Sequence, residues 1–264
     1  MTNKTPRLEF TLLHDVDPLR IEATPGTSGR LVVSFTSVGR ERETRPPKEF
    51  VSMTSRKGLN HVICVTDMSR SWMNANGMAA KIVSVISDYV LEHQITQIIA
   101  IGSSMGAFNA LVMGRKMPFT SIIAFAPQYS VHPEVVPDEK RWWWFRRQIT
   151  QWPHKALDKL PSNCSIYMFH GDTPDEQMHW RLMPEAENVK HFIFAGGDHN
   201  FVRNLKASDT LRKMVFAGLN DRVGRMKQLV RRAGGMKRSE YEGFSSAEAY
   251  FREHPKLKRP ANLT

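Results

Sequence analysis

Apolar and polar positions along the chain alternate between two rhythms, short continuous apolar runs and longer stretches with helical spacing. The runs "RLVVSFTSVG" (30–39), "NHVICVTD" (60–67), "QIIAIG" (97–102), "SIIAFAP" (121–127), "SIYMFHG" (165–171) and "VKHFIFAGG" (189–197) have strand length. Their lack of a polar face is the pattern of parallel strands covered on both sides. In "GMAAKIVSVISDYVLEH" (77–93), by contrast, Met78, Ile82, Val85, Ile86 and Tyr89 recur at helical spacing. Ahead of these, "LEFTLLHD" (8–15) and "RIEATP" (20–25) flank Asp17-Pro18 as an opening hairpin. Apolar strands alternating with helices predict an α/β fold, a doubly wound, mostly parallel sheet with an antiparallel start.

Two segments break the alternation. Residues 132–160 lie between two core strands and contain "KRWWWFRRQITQW", so the chain is expected to leave the sheet there and return. Residues 221–264 turn basic, with eleven Lys and Arg against five Asp and Glu, which places +6 of the net +11 in this stretch. They are expected to form a basic C-terminal extension to a domain over 1–220. One short helix is expected in it, with Ser245 and Glu248 as a capping box and a stop at Pro255. A segment of this charge suits contact with an anionic polymer or a membrane surface.

Composition narrows the class. The chain of 264 residues is 41% hydrophobic, enough for a sizeable core. No apolar run approaches the length of a membrane span and the N-terminus lacks the apolar centre of a secretory signal, so a soluble, cytoplasmic protein is expected. Cys64 and Cys164 lie in or beside strand-like runs and are expected as reduced, buried thiols. Neither dinucleotide nor P-loop spacing occurs, and no cofactor or metal is expected. A metal alternative rests on the crowding of His170, Asp172, Asp175, His179, Asp198 and His199 at one sheet edge, but without metal-site spacing.

The chemistry is carried by "IIAIGSSMGAFNALVMG" (98–114), where Gly102-Ser103-Ser104-Met105-Gly106 fits G-x-S-x-G between a buried strand and a helix. A turn that tight tolerates only small flanking residues and exposes the central hydroxyl above a helix N-terminus. A serine hydroxyl needs an imidazole to take its proton. His199, in the Gly-rich loop after the last strand, is the candidate by position. The imidazole needs a carboxylate in turn, and "GDTPDEQMHW" offers Asp172, preferred for its nearness to the strand end, or Asp175 as the alternative acid. Asp198 is assigned to the turn itself.

In this order of serine, acid and histidine after successive strands, the chain resembles an α/β-hydrolase over residues 8–219. The resemblance implies a serine hydrolase cleaving an ester or related acyl bond through an acyl-enzyme, with the Met105 amide as one oxyanion donor. The second is implied in the loop after the third strand, at Ser37 or Val38, although "FTSVGR" departs from the common His-Gly form there. It also implies a lid at 132–160, where Trp142, Trp143, Phe145 and Arg146 are candidates for substrate contact or for anchoring the lid to the body. An acylated carbohydrate and a lipid-like ester suit these features equally. An acyltransferase would use the same residues, and a catalytically idle binding module working through the tail and the Trp cluster is the alternative from a different class.

Overall fold

The computed structural model describes residues 8–242, 247–253 and 255. The opening hairpin is β1 (Thr11–Val16) and β2 (Leu19–Thr24), followed by β3 (Arg30–Phe35), a short helix α1 (Val51–Ser55) and β4 (His61–Asp67). The regular alternation then sets in with α2 (Met78–Glu92), β5 (Gln97–Ser103), α3 (Met105–Met113) and β6 (Ser121–Phe125). After the long excursion, which holds only the single turn α4 (Trp143–Arg146), come β7 (Ser165–Gly171), α5 (Pro174–Trp180) and β8 (Val189–Phe194). The chain closes with α6 (Phe201–Ala207), α7 (Thr210–Leu219), α8 (Val223–Arg232), β9 (Gly235–Lys237), α9 (Arg238–Tyr241) and α10 (Ala247–Glu253).

The strands form one sheet in the order β1-β2-β4-β3-β5-β6-β7-β8-β9. β4, β3, β5, β6, β7 and β8 run parallel, while β1, β2 and β9 pair antiparallel at the two edges. Alternation along each strand divides the apolar runs between two cores. Val33 and Phe35, Ile98 and Ala100, Ile122 and Ala124, Ile166 and Met168 pack on one face with α2 and α3. Val32, Ile99, Ile101, Ile123, Phe125, Tyr167 and Phe169 pack on the other with α6, α7 and α8. A polar residue in mid-strand would be buried on either face, which is why the sequence shows continuous apolar runs.

Every strand expected from the apolar runs is present, and the parallel sheet has its antiparallel start. The boundary drawn at residue 220 does not separate the described part of the extension from the sheet. Met226, Leu229 and Val230 of α8 enter the second core, and β9 pairs with β8 through Ile193 and Met236. Tyr241 and Phe251 join Trp180 and Ile193 in a third apolar cluster at that edge. The described basic residues Arg225, Arg231 and Arg232 lie on the exposed face of α8. A helix precedes Pro255 as expected, while its expected cap Ser245 lies outside the described residues. Cys64 and Cys164 are free and buried, and burial pushes their thiols up to about 12 and about 11. Among the described residues no helix is long and apolar enough to cross a membrane.

Near the C-terminal end of β7 buried His170 packs against half-buried His191 of β8: His191 Nε2 meets His170 Nδ1 at 2.8 Å, and His170 Nε2 donates to the Pro127 carbonyl at 2.9 Å. Burial lowers His170 to about 4 and takes His191 well below its ordinary value, so both are neutral at pH 7. Unfolding exposes them to protonation near pH 6.5, and the stability they carry is present above that pH and lost as pH falls toward 4. Thermal unfolding followed from pH 7 to pH 4 is expected to lose about 3 kcal/mol from His170. A His170→Gln variant is expected to show a shallower slope over that window, and an unchanged slope would contradict the assignment.

Candidate active site

Gly102, the penultimate residue of β5, lies against the helix that follows, and the turn between them has no room for side chains. A Cβ on Gly102 would lie 2.3 Å from the Gly106 carbonyl carbon, and one on Gly106 would lie 2.2 Å from the Phe35 carbonyl oxygen. Between them Ser104 takes φ 54° and ψ −124°, a conformation that costs a non-glycine residue about 1–3 kcal/mol. It is held by the Ser104 amide donating to Phe125 O at 2.8 Å and by the Ala107 amide donating back to Ser104 O at 2.9 Å.

The elbow aims Ser104 Oγ at His199. Ser104 Oγ lies 2.9 Å from His199 Nε2, and His199 Nδ1 lies 2.7 Å from Glu176 Oε1. With the carboxylate at Nδ1, the imidazole carries its proton there and leaves Nε2 to accept from the serine. The loop that presents His199 is brought close by Gly171, whose Cβ would lie 2.0 Å from Gly197 O. Asp198, as expected, serves the turn, accepting from the Asn200 amide at 2.9 Å.

The carboxylate at His199 is therefore Glu176, and neither aspartate preferred from the sequence reaches the imidazole. Asp172 accepts from the Tyr241 hydroxyl at 2.6 Å, and Asp175 is exposed. The reason is α5: Pro174 occupies its first turn, so the stretch after β7 is helical, and Glu176, His179 and Trp180 form its buried stripe. Asp175, one residue earlier, faces out. A proline at the first position followed by an i, i+3, i+4 set of Glu, His and Trp is a helix signal that was present in the sequence.

Arg141 holds two buried carboxylates together. Its Nε donates to Glu139 Oε1 at 3.0 Å and its Nη2 to Glu139 Oε2 at 2.6 Å, while its Nη1 approaches Glu176 Oε1 at 3.4 Å. His179 Nε2 lies 2.9 Å from Glu139 Oε2. Burial alone would raise both carboxyls. For Glu176, the hydrogen bond and charge of His199, with His170 and Arg141 behind it, outweigh burial and bring it to about 2. For Glu139, the hydrogen bonds from His179 and Arg141 do the same, also to about 2.

Gln128 follows β6 and was not singled out from the sequence. Its Nε2 donates to Ser104 Oγ at 3.0 Å, and Trp72 Nε1 donates to its Oε1 at 3.3 Å, which fixes which end of the amide faces the serine. In the loop after β3, the Ser37 amide and hydroxyl both donate to Glu49, at 3.0 Å each. Burial raises the Glu49 carboxyl, against the effect of those two bonds. Among the described residues the amides of Val38 and Met105 enter no hydrogen bond.

A cleft of about 1520 Å³ opens over this arrangement, lined by Ser37, Val38, Ser104 and His199 among others. Of the aromatic segment only Trp142 lines it. Trp143 is 57% exposed with Arg147 over its ring, and Phe145 is buried. Arg146, a candidate for substrate contact or for anchoring the segment, is buried and spends its guanidinium on the carbonyls of Val131, Glu139 and Arg141. Of the three consecutive tryptophans Trp142 lines the cleft, while Trp143 and Trp144 both meet Arg147. Among the described residues no group of three His, Cys, Asp or Glu is gathered as a metal site.

No protein-family model and no curated protein sequence matches the chain, but solved structures do. One is the capsule O-acetyltransferase of Neisseria meningitidis serogroup A, with TM-score 0.54 and 13% identity over 80% of this chain and 97% of that one. A second is 2,6-dihydroxy-pseudo-oxynicotine hydrolase, with TM-score 0.50 and 17% identity over 80% of this chain and 68% of that one. A third is a chain of the glycosylation associate protein complex from Streptococcus agalactiae, with TM-score 0.54 and 16% identity over 82% of this chain and 47% of that one. The chain has an α/β-hydrolase fold.

The Arg141 network makes a measurable claim. Arg141→Met leaves two buried carboxylates without their shared cation and is expected to destabilise the protein by about 3 kcal/mol. Adding Glu139→Gln removes one of those charges and is expected to recover part of the loss in urea unfolding. Strictly additive losses would contradict the coupling.

Proposed function

We propose that the protein is a serine hydrolase acting on an ester or related acyl bond, with Ser104 as nucleophile, His199 as general base and then acid, and Glu176 as the orienting carboxylate. The observation that carries this is the hydrogen-bonded chain Ser104–His199–Glu176 mounted on a strained elbow. His199 Nε2 takes the Ser104 proton as Oγ attacks the acyl carbon, and returns it to the leaving alcohol when the tetrahedral intermediate collapses. Water, activated by the same nitrogen, then releases the acyl group. Glu176 stays ionised throughout, stabilising the imidazolium at Nδ1.

The Met105 and Val38 amides are the oxyanion donors in this account. The Ser37 amide, the other candidate, is already engaged by Glu49. Gln128 steadies Ser104 Oγ between attacks through the 3.0 Å contact of its amide. Trp142, at the cleft wall, is the one aromatic of its segment placed to touch a substrate. Transfer of the acyl group to a hydroxyl uses the same residues, and a cleft of this volume leaves room for an acceptor. A capsule O-acetyltransferase is among the proteins of similar fold. An idle binding module gives no reason for a serine held at φ 54° within hydrogen-bond reach of an imidazole.

Hydrolysis of 4-nitrophenyl acetate by purified variants tests the assignment. Ser104→Ala and His199→Ala are each expected to lower kcat by roughly 10³-fold or more, and Glu176→Gln by roughly 10³–10⁴-fold. Asp175→Asn is expected to stay within about twofold, since exposed substitutions away from the site change little. Full activity in Glu176→Gln, or its loss in Asp175→Asn, would refute the choice of acid.

A further inference from the structure

The cleft over Ser104 is walled by cations that the mechanism does not use. Arg40, Arg45 and Lys48 come from the loop after β3, Lys57 from the turn after α1, and Arg203 and Lys206 from α6. The acidic residues of the lining are Glu41 and Glu49, and Glu49 is turned onto Ser37. Lys48 is paired with Glu22 at 3.1 Å. The other five are exposed, and among the described residues none of them enters an ion pair. Three separate chain segments thus bring an excess of positive charge to one concavity, in which Glu41 is the one exposed acidic side chain.

Like charges gathered around a cleft repel one another and stabilise nothing in the empty protein. A concave wall with a net excess of one sign focuses its field into the opening and raises the local concentration of counter-charged molecules there. Arginine in particular offers a planar fork to carboxylate and phosphate oxygens. Arg146, a substrate-contact candidate from the sequence, is unavailable to a ligand because it is buried on carbonyls. The cationic function falls instead on the β3 loop, the turn after α1, and α6.

We infer that the substrate of the Ser104 site is an anionic ester, bearing a phosphate or carboxylate group that the cations of the β3 loop and α6 receive while the acyl carbon lies at Ser104. This rests on the hydrolase reading above and names the class of substrate for it. The anion makes no bond in the reaction. Its contribution is to encounter and orientation, so it acts mainly on kcat/KM and weakens with ionic strength.

Three acetate esters test this with the full-length protein: those of methyl 4-hydroxybenzoate (neutral), 4-hydroxybenzoate (carboxylate) and hydroquinone monophosphate (phosphate), each rate divided by its rate with hydroxide alone. The expected result is a normalised kcat/KM about tenfold higher for the charged esters at low salt, falling toward the neutral one in 0.5 M salt, where the Debye length is only about 4 Å. The phosphate ester leading identifies a phosphoryl group as the natural anion, and the carboxylate ester leading identifies a sugar acid or similar group. Arg203→Gln with Lys206→Gln is expected to cut the preference at least threefold, with thermal unfolding confirming that the variant is folded. Turnover of all three esters without preference, or a preference untouched by the double substitution, would overturn the inference. Turnover of none, with Ser104 unreactive toward a fluorophosphonate, would instead remove the hydrolase reading, and this inference with it.

Discussion

The close approach of helix α3 to strands β3 and β5 is the constraint on which the site depends. With Gly102 and Gly106 stripped of side chains, backbone meets backbone at the start of α3, and the one residue that must absorb the resulting turn is Ser104. A cost of about 1–3 kcal/mol at that residue is tolerable because its neighbours are buried on every side, from Ile101 through Met113 with the exception of half-buried Ser103. The strain and the packing are one feature. The sheet fixes the turn, and the turn fixes the hydroxyl.

The rest of the site is a problem of keeping charge ionised in a dry place. Glu176 is almost fully buried, and a carboxylate alone there would take up a proton. It stays charged because His199 and Arg141 both approach Oε1, and Arg141 is itself balanced by Glu139. Arg141 and Glu139 both come from residues 132–160. The long excursion from the sheet therefore has a second use besides covering apolar surface with Phe145 and Leu157: it supplies the cation behind the acid. A change there is felt at Ser104 through two charged contacts, Arg141 to Glu176 and Glu176 to His199.

Much of this was legible in the sequence. Parallel strands announce themselves because both faces are buried, so Ile98–Ile101 and Ile122–Phe125 could hardly be anything else. The meeting of Ser104 with His199 was legible because a tight elbow demands Gly102 and Gly106, and the Gly-rich loop after β8 carries a histidine at the same sheet edge. Glu176 was not, since proximity to a strand end favours Asp172, and only the helical turn begun at Pro174 rotates Glu176 inward and Asp175 outward. Arg146 failed as a ligand contact for a related reason. Burial of an arginine depends on carbonyls that the chain gathers only when folded. Gln128 and the cationic wall were illegible because each draws on segments far apart in sequence, and the packing of α8 and β9 was masked by the charge on their outer faces.

In the proposed mechanism one hydroxyl, and only one, is activated by its position. Peptide mapping by mass spectrometry after brief reaction of the native protein with a fluorophosphonate tests this most directly. A single adduct is expected, on the peptide carrying Ser104, and it is absent when the protein is first denatured. No adduct on the native protein, or one on another serine such as the adjacent Ser103, would contradict it.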